Sequence, residues 1–242
     1  MASTDFTSGA DTATPAPIAT DAPAAASTDA PDWETLRPPR SRFWHFAPGL
    51  WLRGGNRIEA PAWMRARLRF ATLFHYNARN NVVSVGKGFS SRGLTIRFTG
   101  SGNRVEIADN VDFSGEIAIV GKGLCVSIGA RSHLRDAKIG VRGAGVRIGA
   151  DCLFANRVEI RSSDMHRIIN RANGKVINPP RPVEIGNHVW VAGDVSIMRG
   201  TRIADDCVIG IGSLVNTRFD EPNCVIAGVP ARVIRRDITW KR

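Results

Sequence analysis

The strongest signal in the chain is a spacing of apolar residues. Ile185, Val191, Ile197, Ile203, Ile209 and Val215 recur at intervals of six. Four residues after each of the first five stand Val189, Val195, Thr201, Cys207 and Ser213, all small or β-branched. Ile148, Phe154 and Ile160 keep the same interval, as do Ile107, Phe113 and Ile119. A period of six matches neither an α-helix nor a lone strand. It matches a triangular prism in which each hexapeptide forms one face and three faces make a turn of about 18 residues. The large aliphatic side chain then points inward, the small one fits near the corner, and turns stack at the ~4.8 Å spacing of paired strands. Such a core closes only when several turns stack.

Upstream the pattern is looser. Val83-Ser-Val-Gly86, Val105-Glu-Ile-Ala108, Val126-Ser-Ile-Gly129 and Val146-Arg-Ile-Gly149 are copies of one motif, offset by 22, 21 and 20 residues. Asn80-Asn81, Ser101-Gly-Asn103, Gly121-Lys-Gly123 and Gly143-Ala-Gly145 between them are turn formers. The period breaks between Ile160 and Ile185. Arg161–Val183 contains Asn173-Gly174, Asn178 and Pro179-Pro180-Arg181-Pro182, and prolines cannot supply ladder donors. Residues 161–183 are therefore expected to leave the prism as a loop, and loops on a rigid scaffold commonly carry function. The expected fold is all-β, a parallel β-helix over 81–220, with an exit segment at 221–242.

The N-terminal part differs. Residues 1–36 are rich in Ala, Thr, Ser, Pro and Asp. They hold too little apolar surface to offset their ordering entropy, which predicts a disordered tail. Residues 37–80 form a mixed cap. Phe43–Trp51 is aromatic-rich, and Pro61–Tyr76 mixes Trp63, Met64, Leu68, Phe70, Leu73 and Phe74 with arginines. This predicts a short amphipathic helix over 61–76. The cap either closes the end of the prism or offers a basic, aromatic face to a partner or a membrane surface.

Charge follows the same division. The formal net charge is +11, but residues 1–36 carry −6 and the remainder +17. No stretch approaches the ~20 apolar residues of a membrane span. The opening Met-Ala-Ser-Thr-Asp-Phe lacks the basic and apolar regions of a secretory signal. Cys125, Cys152, Cys207 and Cys224 show no CxxC spacing, so they are expected as reduced, packed thiols. Together these features predict a cytoplasmic chain.

Residues 80–240 resemble the hexapeptide-repeat acyltransferases. The best match is Ile185-Gly-Asn-His-Val-Trp-Val191, Ile209-Gly-Ile-Gly-Ser213 and Asn223-Cys-Val-Ile-Ala-Gly-Val-Pro-Ala-Arg232, which is similar to galactoside, maltose, serine and antibiotic acetyltransferases. Ser162-Ser-Asp-Met-His166, then Asn178-Pro179 and His188-Val-Trp190, resemble the bacterial O-acetyltransferases that modify capsule or lipopolysaccharide sugars. The resemblance implies a left-handed helix; general crossover rules favour the other hand. It further implies acetyl-CoA as donor, a saccharide acceptor and a homotrimer. Within the class, an antibiotic or small-sugar acetyltransferase is the alternative.

Acetyl transfer from a thioester to a hydroxyl needs a base, an oxyanion donor and a place for the CoA phosphates. His166 is the candidate base. It stands six after Ile160, where an aliphatic residue would continue the core, and histidine ordinarily titrates near ~6.5. Asp164 either orients His166 or caps the loop through hydrogen bonds. Trp190 shapes the site beside the base by resemblance, or fills a subunit interface. His188 is expected on the solvated surface. The resemblance points to Gly193, Ile211, Thr217, Arg218, Arg232 and Arg235 for CoA. Asn216 intervenes where relatives continue directly into Thr-Lys, which displaces Thr217 and Arg218 by one place. No histidine or cysteine spacing calls for a metal, and a non-catalytic β-helix would lack the loop at 161–183. The +17 fits CoA phosphates, an anionic polysaccharide or peripheral contact with an anionic membrane. No nucleic-acid motif accompanies it.

Overall fold

A computed structural model describes residues 50–242, apart from the side chains of Leu50, Trp51, Ala66, Arg69, Phe70 and Ala71. The tail expected at 1–36 and the cap residues 37–49 lie outside the described residues.

The described chain is a left-handed parallel β-helix. Its first face is a nine-stranded sheet. Leu50–Leu52 pairs antiparallel with Asn56–Glu59, and from there the ladder is parallel. It continues through Val82–Val85, Arg104–Ile107, Cys125–Ile128, Val146–Ile148, Val183–Ile185 and Arg202–Ile203 to Arg218–Phe219. The ladder thus reaches back to Asn56–Glu59, ahead of the first recognisable repeat.

The other two faces separate only in the lower turns. Leu153–Phe154, Trp190–Val191, Val208–Ile209 and Val225–Gly228 form the second face. Val158–Arg161, Ser196–Ile197 and Leu214–Val215 form the third. In the upper turns the long strands Asp112–Lys122 and His133–Arg142 run over the corner between these faces, while Leu94–Ser101 lies on the third face and pairs with Gly115–Lys122. His133–Arg142 pairs at its start with Leu153–Phe154 and at its end with Val158–Arg161. Extra residues in these continuous strands account for the looser upstream period.

Exact stacking makes the core. Ile107, Ile128, Ile148, Ile185, Ile203 and Phe219 stand in one column, and Phe113, Leu134, Phe154, Val191, Ile209 and Ile226 in another. Every residue of the six-residue run is buried, as are Val189, Val195, Thr201, Cys207 and Ser213 in the small slots. At the top a polar column replaces the apolar one. Asn81 Nδ2 donates to Asn56 Oδ1 at 2.9 Å, and Asn103 Nδ2 donates to Asn81 Oδ1 at 2.9 Å. All three amides are buried.

The helix expected over 61–76 stops early. It spans Ala62–Ala71, and Thr72–Phe74 is instead a strand parallel to Ile96–Phe98. Phe74 stacks on Phe98 with ring centroids 5.3 Å apart. Pairing of β-branched and aromatic residues with the next turn overrides the helical pattern. Met64 and Leu68 are buried against the core, while Trp63 and Tyr76 are exposed.

Candidate active site

The chain leaves the prism after Arg161, at the corner between the third and first faces, and rejoins it at Val183. The excursion is a built loop. Ile169 and Val176 form an antiparallel bridge, and the Ile177 N–H donates to the Ile168 carbonyl at 3.0 Å, so residues 168–177 make a short hairpin. At the loop's root Ser162 is buried, and its Oγ accepts the Arg142 N–H at 3.0 Å.

Asn178 holds the two arms together. Buried between them, it donates from Nδ2 to the His166 carbonyl at 2.8 Å and to Asp164 Oδ2 at 3.0 Å. Its Oδ1 accepts the Ile168 N–H at 2.6 Å. The His166 N–H donates to the Asp164 carbonyl at 2.8 Å. The backbone of His166 is therefore fixed on both sides while its residue surface is exposed.

Of the two roles open to Asp164, the contacts match loop capping. Its carboxylate accepts Arg199 Nε at 2.6 Å as well as Asn178 Nδ2. No hydrogen bond joins it to the His166 ring among the described residues. The hydrogen bond from Arg199 holds the Asp164 carboxyl below the usual carboxylate range, against the opposing effect of burial and with support from Asn178. Arg199 and Asn178 are the residues that sequence reasoning undervalued. Asn178 carried only a motif match, and Arg199 sits at an ordinary corner of the following turn.

Trp190 lies on the second face, in register with Leu153 above and Val208 below, and is 39% exposed. Within one chain it is thus on a different side of the prism from the root of the His166 loop. His188, two residues earlier, corrects the expectation of a solvated side chain. Its Nδ1 is 2.7 Å from Asp206 Oδ1, and its ring stacks on Trp240 at 4.3 Å with a 9° interplanar angle. The side chain keeps 34% of its surface exposed.

The residues expected at CoA divide into groups. Gly193 and Ile211 share the corner between the second and third faces, where the Gly212 N–H donates to the Gly193 carbonyl at 3.0 Å. Ile211 is exposed, and Gly212, at φ 68°, has open space where a Cβ would project. Arg232 pairs with Ala227 on the antiparallel final strand, beside this corner, whereas Arg235 lies opposite Val225 at the far end of that strand. Thr217 and Arg218 are elsewhere. Arg218 belongs to the first face, stacked on Arg202, and its guanidinium is engaged with Asp220 at 3.3 Å. The expected grouping of Arg218 with Gly193 is not found in one chain, because a whole face separates them.

Cys152 and Cys207 are buried in the small slots. Burial pushes the Cys152 thiol up to about 12 and raises that of Cys207, so neither is a ready thiolate. Among the described residues, no three His, Cys, Asp or Glu side chains gather as a metal-binding group.

A left-handed prism that ejects one stapled histidine loop and carries an open glycine corner defines the hexapeptide-repeat acetyltransferase class. Comparison with known proteins narrows it. The polysialic acid O-acetyltransferase of Neisseria meningitidis is 35% identical over 173 residues, covering 71% of this chain and 80% of that protein. The polysialic acid O-acetyltransferase of Escherichia coli O1:K1 is 37% identical over 140 residues, and the match spans 45% of its length. The crystal structure of the polysialic-acid-specific acetyltransferase NeuO superposes with a TM-score of 0.66 at 34% identity, over 71% of this chain and 79% of that one. That of the polysialic acid O-acetyltransferase OatWY gives 0.65 at 31% identity, over 78% and 88%. No family model matches the chain. The chain belongs to the hexapeptide-repeat O-acetyltransferase family that includes these enzymes.

Proposed function

We propose that this protein moves the acetyl group of acetyl-CoA to a hydroxyl of a capsular, exo- or lipopolysaccharide sugar, with His166 as general base. The observation that carries the reading is His166 itself, an exposed side chain on a backbone pinned by Asn178 and Asp164. A base must be held while leaving its ring free to meet a hydroxyl.

An imidazole nitrogen of His166 takes the hydroxyl proton as the sugar oxygen attacks the thioester carbonyl. The tetrahedral oxyanion is held by a backbone N–H near the base or by the Trp190 indole, which can only donate. The C–S bond then breaks, and the imidazolium returns its proton to the sulfur. The products are an acetyl ester and the CoA thiol. Transfer is direct, since the buried thiols of Cys152 and Cys207 offer no acyl acceptor. Asp164 and Arg199 act by fixing the loop. Gly193 and Ile211 offer an open corner for the pantetheine, while Arg232 stands beside it, and Arg235 farther along the same strand, for the phosphates; Thr217 and Arg218 then serve a second copy's donor or none.

His166 and Trp190 meet if a second chain supplies one of them. A homotrimer around an axis parallel to the prism gives three equivalent clefts of this kind. The exposed hairpin residues Ile168, Ile169 and Ile177 favour such a contact. Among the described residues no helix is long and apolar enough to cross a membrane. We place the enzyme in the cytoplasm, and Trp63 beside the arginines of its helix suits peripheral contact with an anionic surface.

The test is acetyl-CoA turnover against polysialic acid, other capsular polysaccharides, nucleotide sugars and antibiotics. His166→Ala is expected to lower kcat by ~10²–10⁴-fold while acetyl-CoA binding survives. Activity within about threefold of wild type in a folded oligomer, well below that range, would remove His166 from the mechanism.

A further inference from the structure

We propose that Trp240, near the C-terminus, is a positioning residue for acetyl transfer that sets the side chain of Trp190. The inference rests on the reading of Trp190 as a wall of the site.

Residues 236–242 take a path that end-capping does not require. Ala231–Arg235 already covers the edge of Val225–Gly228 by antiparallel pairing. The chain then turns back along the corner between the first and second faces. There Asn223, Asp206, His188, Asp151 and Arg131 occupy successive turns, all with positive φ. At the ~4.8 Å strand spacing this column is about 19 Å long. The strap is fastened along it. The Ile238 N–H donates to the Asn223 carbonyl at 3.0 Å, and Asn223 Nδ2 donates to the Ile238 carbonyl at 3.1 Å. Further up, Arg242 Nη2 donates to the Arg131 carbonyl at 3.1 Å and to that of Cys152 at 3.4 Å.

Between these fastenings lies Trp240, only 8% exposed. Its Nε1–H donates to the His188 carbonyl at 2.8 Å, and its ring stacks on the His188 ring, whose Nδ1 is held by Asp206. The opposite neighbour is Trp190, at 6.1 Å between centroids and 45° between planes, within the range of a tilted aromatic pair. Trp190 is exposed on the second face and has Leu153 and Val208 as its strand neighbours. Trp240 is therefore the aromatic side chain that limits its rotation toward the corner. A donor thioester laid against Trp190 needs that ring in one place, because misplacement of about 1 Å can cost ~10²-fold in rate.

The test compares Trp240→Ala, Trp240→Phe, Trp190→Ala and the double variant Trp190→Ala/Trp240→Ala in the full chain. Rates use acetyl-CoA and a polysaccharide that the wild type acetylates, polysialic acid first. Trp240→Ala is expected to lower kcat about 10- to 100-fold with little change in KM for acetyl-CoA. Trp240→Phe, which keeps the stack and loses the indole donor, should recover much of that loss and covers the case in which Trp240→Ala folds poorly. The double variant should be no slower than Trp190→Ala alone, since coupled residues are not additive. A folded Trp240→Ala enzyme within twofold of wild type, or losses that simply add, would overturn the inference while leaving Trp190 in place. Full activity of Trp190→Ala would overturn the reading of the site itself, and this inference with it.

Discussion

Asn178→Ala is the sharpest probe of how the loop presents its histidine. The side chain makes three hydrogen bonds, to the His166 carbonyl, to Asp164 and from the Ile168 N–H, and each closes a span of 10 to 14 residues. Alanine removes all three and leaves the Ile168 N–H and the His166 carbonyl without those partners. At about 1 kcal/mol net for each bond the loop loses roughly 3 kcal/mol of local stability, which is a factor of about 100 in its closed-to-open ratio. The prism should not notice, because the three bonds join loop residues to one another and none reaches a core column. The expected result is a kcat lower by up to ~10²-fold, an unchanged thermal midpoint, and faster hydrogen exchange at the Ile168 amide than in wild type. Exchange read residue by residue in the intact enzyme separates loop opening from global unfolding. Wild-type protection of Ile168 together with wild-type turnover would refute the claim that Asn178 is the staple.

Three further outcomes follow from the same contacts. Asn81→Ala strands the Asn103 backbone N–H, which donates to the lost oxygen at 2.9 Å, and takes from the Gly100 carbonyl one of its two donors, leaving it the Arg79 N–H; it should destabilise the prism by about 3 kcal/mol, read by denaturant melts with an unchanged slope. Because Arg199 depresses the Asp164 pKa in the folded state, the ion pair contributes stability above the unfolded carboxylate value of ~3.9 and loses it as pH falls through the folded value. Limited proteolysis of residues 162–182 should therefore accelerate below about pH 4, and Arg199→Leu should weaken that pH dependence to what the Asn178 hydrogen bond sustains. Cys152, with its thiol pushed up to about 12 and no exposed surface, should resist alkylation at pH 8 until the prism unfolds.

The prism was legible in the sequence because its constraint is periodic. Each inward position at 185, 191, 197, 203, 209 and 215 meets the same requirement, a branched aliphatic side chain stacked on its like, so the requirement repeats in print. The same logic fails above Asn80. There Asn56–Glu59 enters the ladder with only one core aliphatic, Ile58, and its neighbours Asn56 and Asn81 satisfy each other by hydrogen bonds. A polar column of three asparagines has no apolar signature, so the ladder's start is invisible to a hydrophobic pattern. Thr72–Phe74 was misread for a related reason: its partner Ile96–Phe98 is more than 20 residues away, and only that pairing makes it a strand. Candidate site residues stand out where they interrupt the period. His166 falls in an aliphatic slot and is conspicuous. Arg199 occupies a solvent-facing corner where arginine is ordinary in an arginine-rich chain, and its meaning arises only when the loop folds Asp164 against it. Trp240 is hidden in the same way, as an aromatic in a basic tail whose stacking partner His188 lies 52 residues upstream. Periodic stacking writes itself into the sequence at every turn. A contact made once, between a loop or tail and the scaffold, leaves a single residue that composition cannot distinguish from its surface neighbours.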